Sequence, residues 1–137
     1  MSRHNARELA LQMIFQMDVG GNTLDIAEMT LSEAELDPDK KDFTRTLVVG
    51  VQQNVEDLDT VIGKYSKDWK VSRLANVDRA ILRLAAFELL HTSTPPDVVV
   101  NEAIELTKHF SSDEAPAFVN GILNALWHGE LDGKEEE

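Results

Sequence analysis

The chain has 137 residues, no cysteine, 42% hydrophobic residues and a net charge of −12. That is sequence for one domain, with enough material for a true core, since a domain of about 150 residues buries roughly 70% of its unfolded surface. Disulfides and thiolate metal sites are excluded, no run of about 18 apolar residues is present to span a bilayer, and the N-terminal arginines precede no apolar signal segment.

Glycine and proline are sparse, and β-branched residues do not alternate with polar ones, so an all-α fold is expected. A first helix is expected over residues 5–18. Asn5 and Glu8 have the form of a capping box, and Gly20-Gly21 ends the helix. At 100° per residue, Ala6, Leu9, Ala10, Met13 and Met17 share one stripe, the expected core side. His4, Arg7, Glu8, Leu11, Gln12 and Phe15 lie roughly opposite, beside Arg3. This second face reads as a binding surface, with arginine for phosphate and Phe15 for stacking on an unpaired base. The alternative is that Phe15 packs beneath one of the later helices.

A short helix fits residues 24–36, and Asp37-Pro38 reads as an N-cap followed by proline at the first helical position. A long helix is expected from there to Tyr65, with Phe43, Leu47, Val51, Val55, Leu58 and Ile62 as its apolar set. Gly50 and Gly63 either weaken it or admit a close neighbour. Residues 66–75 form a connection or single turn anchored by Trp69.

Residues 77–90 are the most informative stretch. Ten of the fourteen are apolar and wrap nearly all round a helix of residues 76–91, which therefore needs helices on every side. Its polar members, Asp78, Arg79, Arg83 and Glu88, must be paired or presented to a partner. Thr94-Pro95-Pro96 breaks this helix. Another follows over 97–110, and a last one carries Phe118, Val119, Ile122, Leu123, Leu126 and Trp127. Ser111 or Ser112 is the expected cap there, with Pro116 tolerated in the first turn. Residues 1–129 thus form a single helical domain, and the acidic residues 130–137 are expected to be a disordered tail.

Charge is unevenly spread. Residues 64–83 hold Lys64, Lys67, Lys70, Arg73, Arg79 and Arg83 against Asp68 and Asp78, a local excess of cations in an anionic chain. The lysines recur every third position and spiral around a helix, so a solvated surface is their default reading. Glu102, Glu105, Arg83 and Glu88 read first as a partly buried ion-pair network tying helices together.

Four fragments, Ala6-Arg7-Glu8-Leu9-Ala10, Val77-Asp78-Arg79-Ala80-Ile81-Leu82-Arg83-Leu84-Ala85-Ala86-Phe87-Glu88-Leu89, Asn101-Glu102-Ala103-Ile104-Glu105-Leu106 and Phe118-Val119-Asn120-Gly121-Ile122-Leu123, resemble the NusB family in order and spacing. The resemblance covers nearly the whole chain. It implies two three-helix bundles packed across each other, and a bacterial transcription antitermination factor. It further implies pairing with NusE, a small-subunit ribosomal protein, and binding of a boxA RNA element in support of ribosomal RNA transcription. Other Nus factors and RNA polymerase would join the assembled complex.

Carried onto this chain, the family's arginine-rich start is thinned to Arg3 and Arg7, with His4 between them. RNA contact is implied for Phe15 on the first helix and for Phe110, Glu114 and Phe118 further on. Gln12 and Asn120 join this RNA set by position. Asp78 falls where the family faces NusE, with Arg73 and Arg79 beside it. On this reading Arg7 is a surface residue whose loss leaves stability unchanged.

Two other classes compete. A di-iron enzyme needs two Glu-x-x-His pairs and two further glutamates. The chain has one such pair, Glu88 and His91, because Glu105 and His109 stand four apart. Neither an enzyme nor a cofactor or metal is therefore expected. A protein-interaction module that never touches RNA is the second competitor, favoured by the acidic balance. A homodimer stays open as an alternative state. The cysteine-free composition fits a cytoplasmic location.

Overall fold

The computed structural model describes residues 3–21, 23–67 and 70–132. Seven α-helices follow one another: α1 (His4–Val19), α2 (Leu24–Glu33), α3 (Pro38–Gln53), α4 (Val55–Tyr65), α5 (Asn76–His91), α6 (Pro96–Phe110) and α7 (Ala115–Trp127). A 3₁₀ turn, Val71–Arg73, precedes α5, and a π-helical turn, His128–Asp132, follows α7. Trp69 lies outside the described residues.

The helices α1, α2 and α3 pack together as one bundle. A second is built on α5, α6 and α7, with α4 laid along α5 and α7. Helix α5 is the hub, packing against α1, α3, α4, α6 and α7, with residues 80–89 all buried. This is the consequence of an apolar surface that runs around the whole helix.

Local signals explain most boundaries. The Asp37 carboxylate accepts the Lys40 backbone N–H at 3.0 Å, and Pro38 opens α3. Thr23 caps α2 by accepting from the Ile26 N–H. The expected 38–65 helix is two helices, because Asn54 interrupts it. Its side-chain amide donates to the Gly50 carbonyl at 2.7 Å, and the chain restarts as α4 at Val55. The Asn5–Glu8 capping box does not form. Helix α1 begins at His4, with no side-chain cap, and Glu8 engages His4 instead. Ser111 and Ser112 do not cap α7 either, and the Ser111 hydroxyl donates to Asp78 at 2.5 Å.

The structured chain also runs past residue 129. The Tyr65 hydroxyl donates to Glu130 at 2.6 Å, and Leu131 packs on the core. Gly129 admits the Tyr65 ring, since a β-carbon there would meet the tyrosine oxygen at 2.2 Å.

Helix α1 departs most from its expected faces. Ala6, Arg7, Ala10, Leu11, Met13 and Ile14 are all buried, so α1 is covered by α3 on one side and α5 on the other. Thr44 on α3 donates to the Ala6 carbonyl at 3.1 Å. Arg7 is only 4% exposed and forms a two-pronged pair with Glu88, itself 2% exposed, with both N–H···O distances at 2.9 Å. A carboxylate enclosed in an apolar hub needs such a partner, because unpaired burial of a charge is far more costly than exposure. The other charges of α5 are tied in the same way. Arg83 reaches Asp59 on α4 at 2.7 Å and Asp18 on α1 at 3.5 Å. Arg79 reaches Asp18 and Asn76 at 2.8 and 2.7 Å. Ion pairs therefore hold Arg83, Glu88 and Glu102, but with partners outside the expected set, and Glu105 pairs with Lys108 at the surface.

Two substitutions check this packing. Arg7→Ala leaves Glu88 buried and alone and is expected to cost about 3–5 kcal/mol in urea unfolding, whereas Arg7→Met with Glu88→Leu recovers most of it. Gly50 faces the Phe87 ring, and a β-carbon there would lie 2.1 Å from ring atom Cζ. Alanine gains about 1 kcal/mol of helix propensity, but the clash with a ring pinned in the core outweighs it, for a net loss of about 1–2 kcal/mol. Adding Phe87→Leu to Gly50→Ala should restore part of the thermal midpoint.

Candidate partner and RNA interface

The hub helix sets the position of its neighbours, and its N-terminal end forms a groove with α1 and α6. Leu11, Gln12, Phe15 and Gln16 of α1 make one wall, Ala75, Asn76 and Val77 the floor at the start of α5, and Phe110 the far rim, enclosing about 510 Å³. Phe15 is half-buried, and Phe110 keeps 37% of its surface exposed at the last residue of α6. Two aromatic rings thus face one apolar trough, edged by two glutamines and an asparagine that can donate and accept hydrogen bonds.

A second, separate depression of about 260 Å³ adjoins the first at Ala75, the one lining residue the two have in common. Its lining includes Arg73, Asp78, Ser112, Glu114 and Phe118. Asp78 is held by Ser111, whose hydroxyl bond fixes the carboxylate at the start of α5. The residues assigned to a protein partner and those assigned to RNA therefore meet on one surface. The expectation from sequence assigned them to different partners; it placed Leu11 on the binding face of the first helix but missed Gln16, Ala75, Asn76 and Val77. Their helical spacing from Phe15 and Asp78 was the available signal.

The N-terminal basic segment lies in a separate cleft of about 390 Å³ bounded by Arg3, Arg7, Ser93, Thr94, Pro95, Val98 and Glu102. Arg3 is exposed, and its guanidinium lies 4.2 Å from the centroid of the Phe43 ring. His4 is clamped: Nδ1 lies 2.8 Å from Glu102 and Nε2 2.8 Å from Glu8. The hydrogen bond to Glu102 chiefly raises its pKa above 6.5, aided by the charges of Glu102 and Glu8 and opposed by burial. An imidazolium can donate from both ring nitrogens at once, and a neutral ring cannot.

Two assigned residues are committed to carboxylates of the protein itself. Arg7 is buried, with Nε and Nη2 both donated to Glu88. Arg79, partly buried, donates to Asp18, Asn76 and the Ser72 carbonyl at the protein surface. Asn120 is exposed on α7 but lines neither depression, and its side-chain oxygen accepts from Asn124 at 2.7 Å. Glu88, half of the single Glu-x-x-His pair, is held by Arg7, and His91 lies against the Phe87 ring.

An all-helical body with an apolar trough edged by aromatic rings and amides has the surface features of a macromolecule-binding domain. A family model described as the NusB family matches residues 4–127. The transcription antitermination protein NusB of Desulforamulus reducens is 45% identical over 138 residues, covering 99% of this chain and 94% of that protein. The protein of the same description from Bacillus subtilis is 49% identical over 128 residues, covering 92% and 95%. Among solved structures, T. maritima NusB superposes with a TM-score of 0.88 at 30% identity, covering 100% of this chain and 99% of that one. A structure of the antitermination factors NusB and NusE in complex with dsRNA superposes at 0.84 with 27% identity, covering 94% and 99%. The chain belongs to the NusB family, whose members are transcription antitermination factors and not enzymes. Among the described residues, no helix is long and apolar enough to cross a membrane.

The His4 clamp has a definite pH signature. A raised folded-state pKa means that its stabilisation is complete below the unfolded value of about 6.5 and is lost as pH rises through the higher folded value. The stability difference between wild type and His4→Gln should be largest near about pH 6 and shrink towards about pH 9. A difference that grows with pH would contradict the clamp. Its size is small, as the ring is one-third exposed and solvent screens the pair.

Proposed function

We propose that this chain pairs with the ribosomal protein NusE and, with it, holds boxA-type single-stranded RNA, supporting processive transcription of ribosomal RNA operons in the cytoplasm. Other Nus factors and RNA polymerase complete the assembly. The observation that carries this reading is that the Phe15–Phe110 trough and the Asp78–Glu114–Phe118 depression lie side by side, with Ala75 lining both. A partner seated on Asp78 and Arg73 would lie beside the rings on which bases can stack. Protein and RNA would then be bound on one surface.

Charge supports a shared RNA site. With Arg7 buried against Glu88, Arg79 paired with Asp18 and His4 clamped, Arg3 is the N-terminal arginine left for phosphate. Few phosphate contacts mean modest affinity and a shallow salt dependence, about −0.7 in log–log slope per contact on a single strand. NusE is assigned the remaining cations. Specificity comes from base contacts, where Phe15 and Phe110 supply stacking and Gln12 and Glu114 supply hydrogen-bonding edges.

The withdrawal of Arg7 also favours a second reading, an interaction module without RNA contact. A gel shift separates the two. With NusE present, boxA RNA should bind more tightly than a scrambled control, and Phe15→Ala with Phe110→Ala should weaken it by about tenfold or more, at about 1–3 kcal/mol per lost stacking contact. Equal binding of both RNAs, or none with NusE present, leaves the interaction-only reading. Asp78→Arg should weaken NusE pairing more than RNA contact, as measured by calorimetry with each ligand.

A further inference from the structure

The corner between α1 and α2 carries a surface that the trough does not use. Of the six large apolar side chains most exposed among the described residues, four fall within residues 19–29: Val19, Leu24, Ile26 and Met29. Helix α2 turns Ala27 and Leu31 inward against its neighbours α1 and α3. Ile26 and Met29, three positions apart, therefore share the outer side, at 46% and 64% exposed. Single exposed apolar residues are ordinary, but a cluster on one short helix marks a contact surface.

Its surroundings define what can cover it. Residues 18–42 hold eight carboxylates and two lysines. On α2 itself Asp25 and Glu33 flank Met29, and both are exposed and form no ion pair among the described residues. Asp25 in the first turn suits the positive end of the helix dipole, but Glu33 stands in the last turn, where a cation is favoured. Glu35 lies just beyond, also exposed and without an ion pair among the described residues. An unpaired acid at the negative end of a helix, next to bare apolar side chains, is relieved by a ligand that brings both positive charge and an apolar stripe. A nucleic-acid strand brings the wrong charge.

We infer that the α1–α2 corner is a docking face for a cationic amphipathic helix of a protein partner, distinct from the trough. Ile26 and Met29 take the apolar stripe of that helix, as in helix-on-groove recognition, while Asp25, Glu33 and Glu35 pair with lysines or arginines along its edges. This inference does not rest on the proposed RNA and NusE functions. It stands if the gel shift above fails.

The test uses the full chain, isotopically labelled for NMR, and a synthetic Lys/Leu amphipathic helix of about 14 residues, roughly four turns. Its controls are a Glu/Leu version and a peptide of the same composition with the stripe scrambled. The Lys/Leu helix should shift resonances of residues 19–33 and leave those of Phe15 and Phe110 in place, and added salt should weaken it by screening the carboxylates. Both controls should bind less tightly. Ile26→Ser with Met29→Ser, at exposed positions, should lower affinity by about tenfold with the thermal midpoint unchanged. Asp25→Lys with Glu33→Lys should do the same. Absence of binding, unchanged binding to the variants, or shifts confined to the trough would overturn the inference. So would a uridine oligonucleotide that shifts the same resonances of residues 19–33.

Discussion

The enclosure of α5 is the constraint on which the rest of the structure depends. A helix apolar on all sides must be covered on all sides, and α1, α3, α4, α6 and α7 do this. Its charges cannot then be left to water. Glu88 takes Arg7 from α1, and Arg83 takes Asp59 from α4 and Asp18 from α1. Such pairs contribute little net stability relative to a well-packed apolar interior. They act as registry pins: each is satisfied in one relative placement of α1, α4 and α5, and that placement brings Phe15 opposite Phe110 across the start of α5.

The same requirement withdraws some cations from the surface. Arg79 and Arg83 are turned to carboxylates, and Lys64 stands 4.0 Å from Glu130. The apparent basic stretch of residues 64–83 thus presents Lys64, Lys67, Lys70 and Arg73 to solvent, with Lys64 near Glu130. A molecule so anionic, with Arg7, Arg79 and Arg83 committed to its own carboxylates, is suited to recognise shape and bases while a partner neutralises phosphate.

Much of the fold could be read from pattern. The central helix was located by its apolar wrap, α3 by Asp37-Pro38, and the break before α6 by Pro95-Pro96. What could not be read was set by neighbours distant in sequence. Asn54 splits the long helix by bonding back to the Gly50 carbonyl, a choice that the apolar periodicity of residues 43–62 does not disclose. Residues 128–132 remain ordered through Tyr65, 65 positions away from Glu130. The family resemblance assigned Asp78 and Phe118 to different partners, whereas the fold brings both to the lining of one depression.

Arg7 marks the boundary between the two kinds of information. Periodicity, composition and caps specified an all-helical chain with a buried central helix, because those depend on local propensity and on the area that each segment must hide. Which charge is interior and which is exposed is decided by what stands opposite, and Glu88 is 81 positions from Arg7. An arginine beside a helix N-terminus has the same one-dimensional signature whether it meets phosphate or a buried carboxylate. Tertiary packing chose the carboxylate, because leaving Glu88 unpaired in the hub costs more than giving up one surface cation.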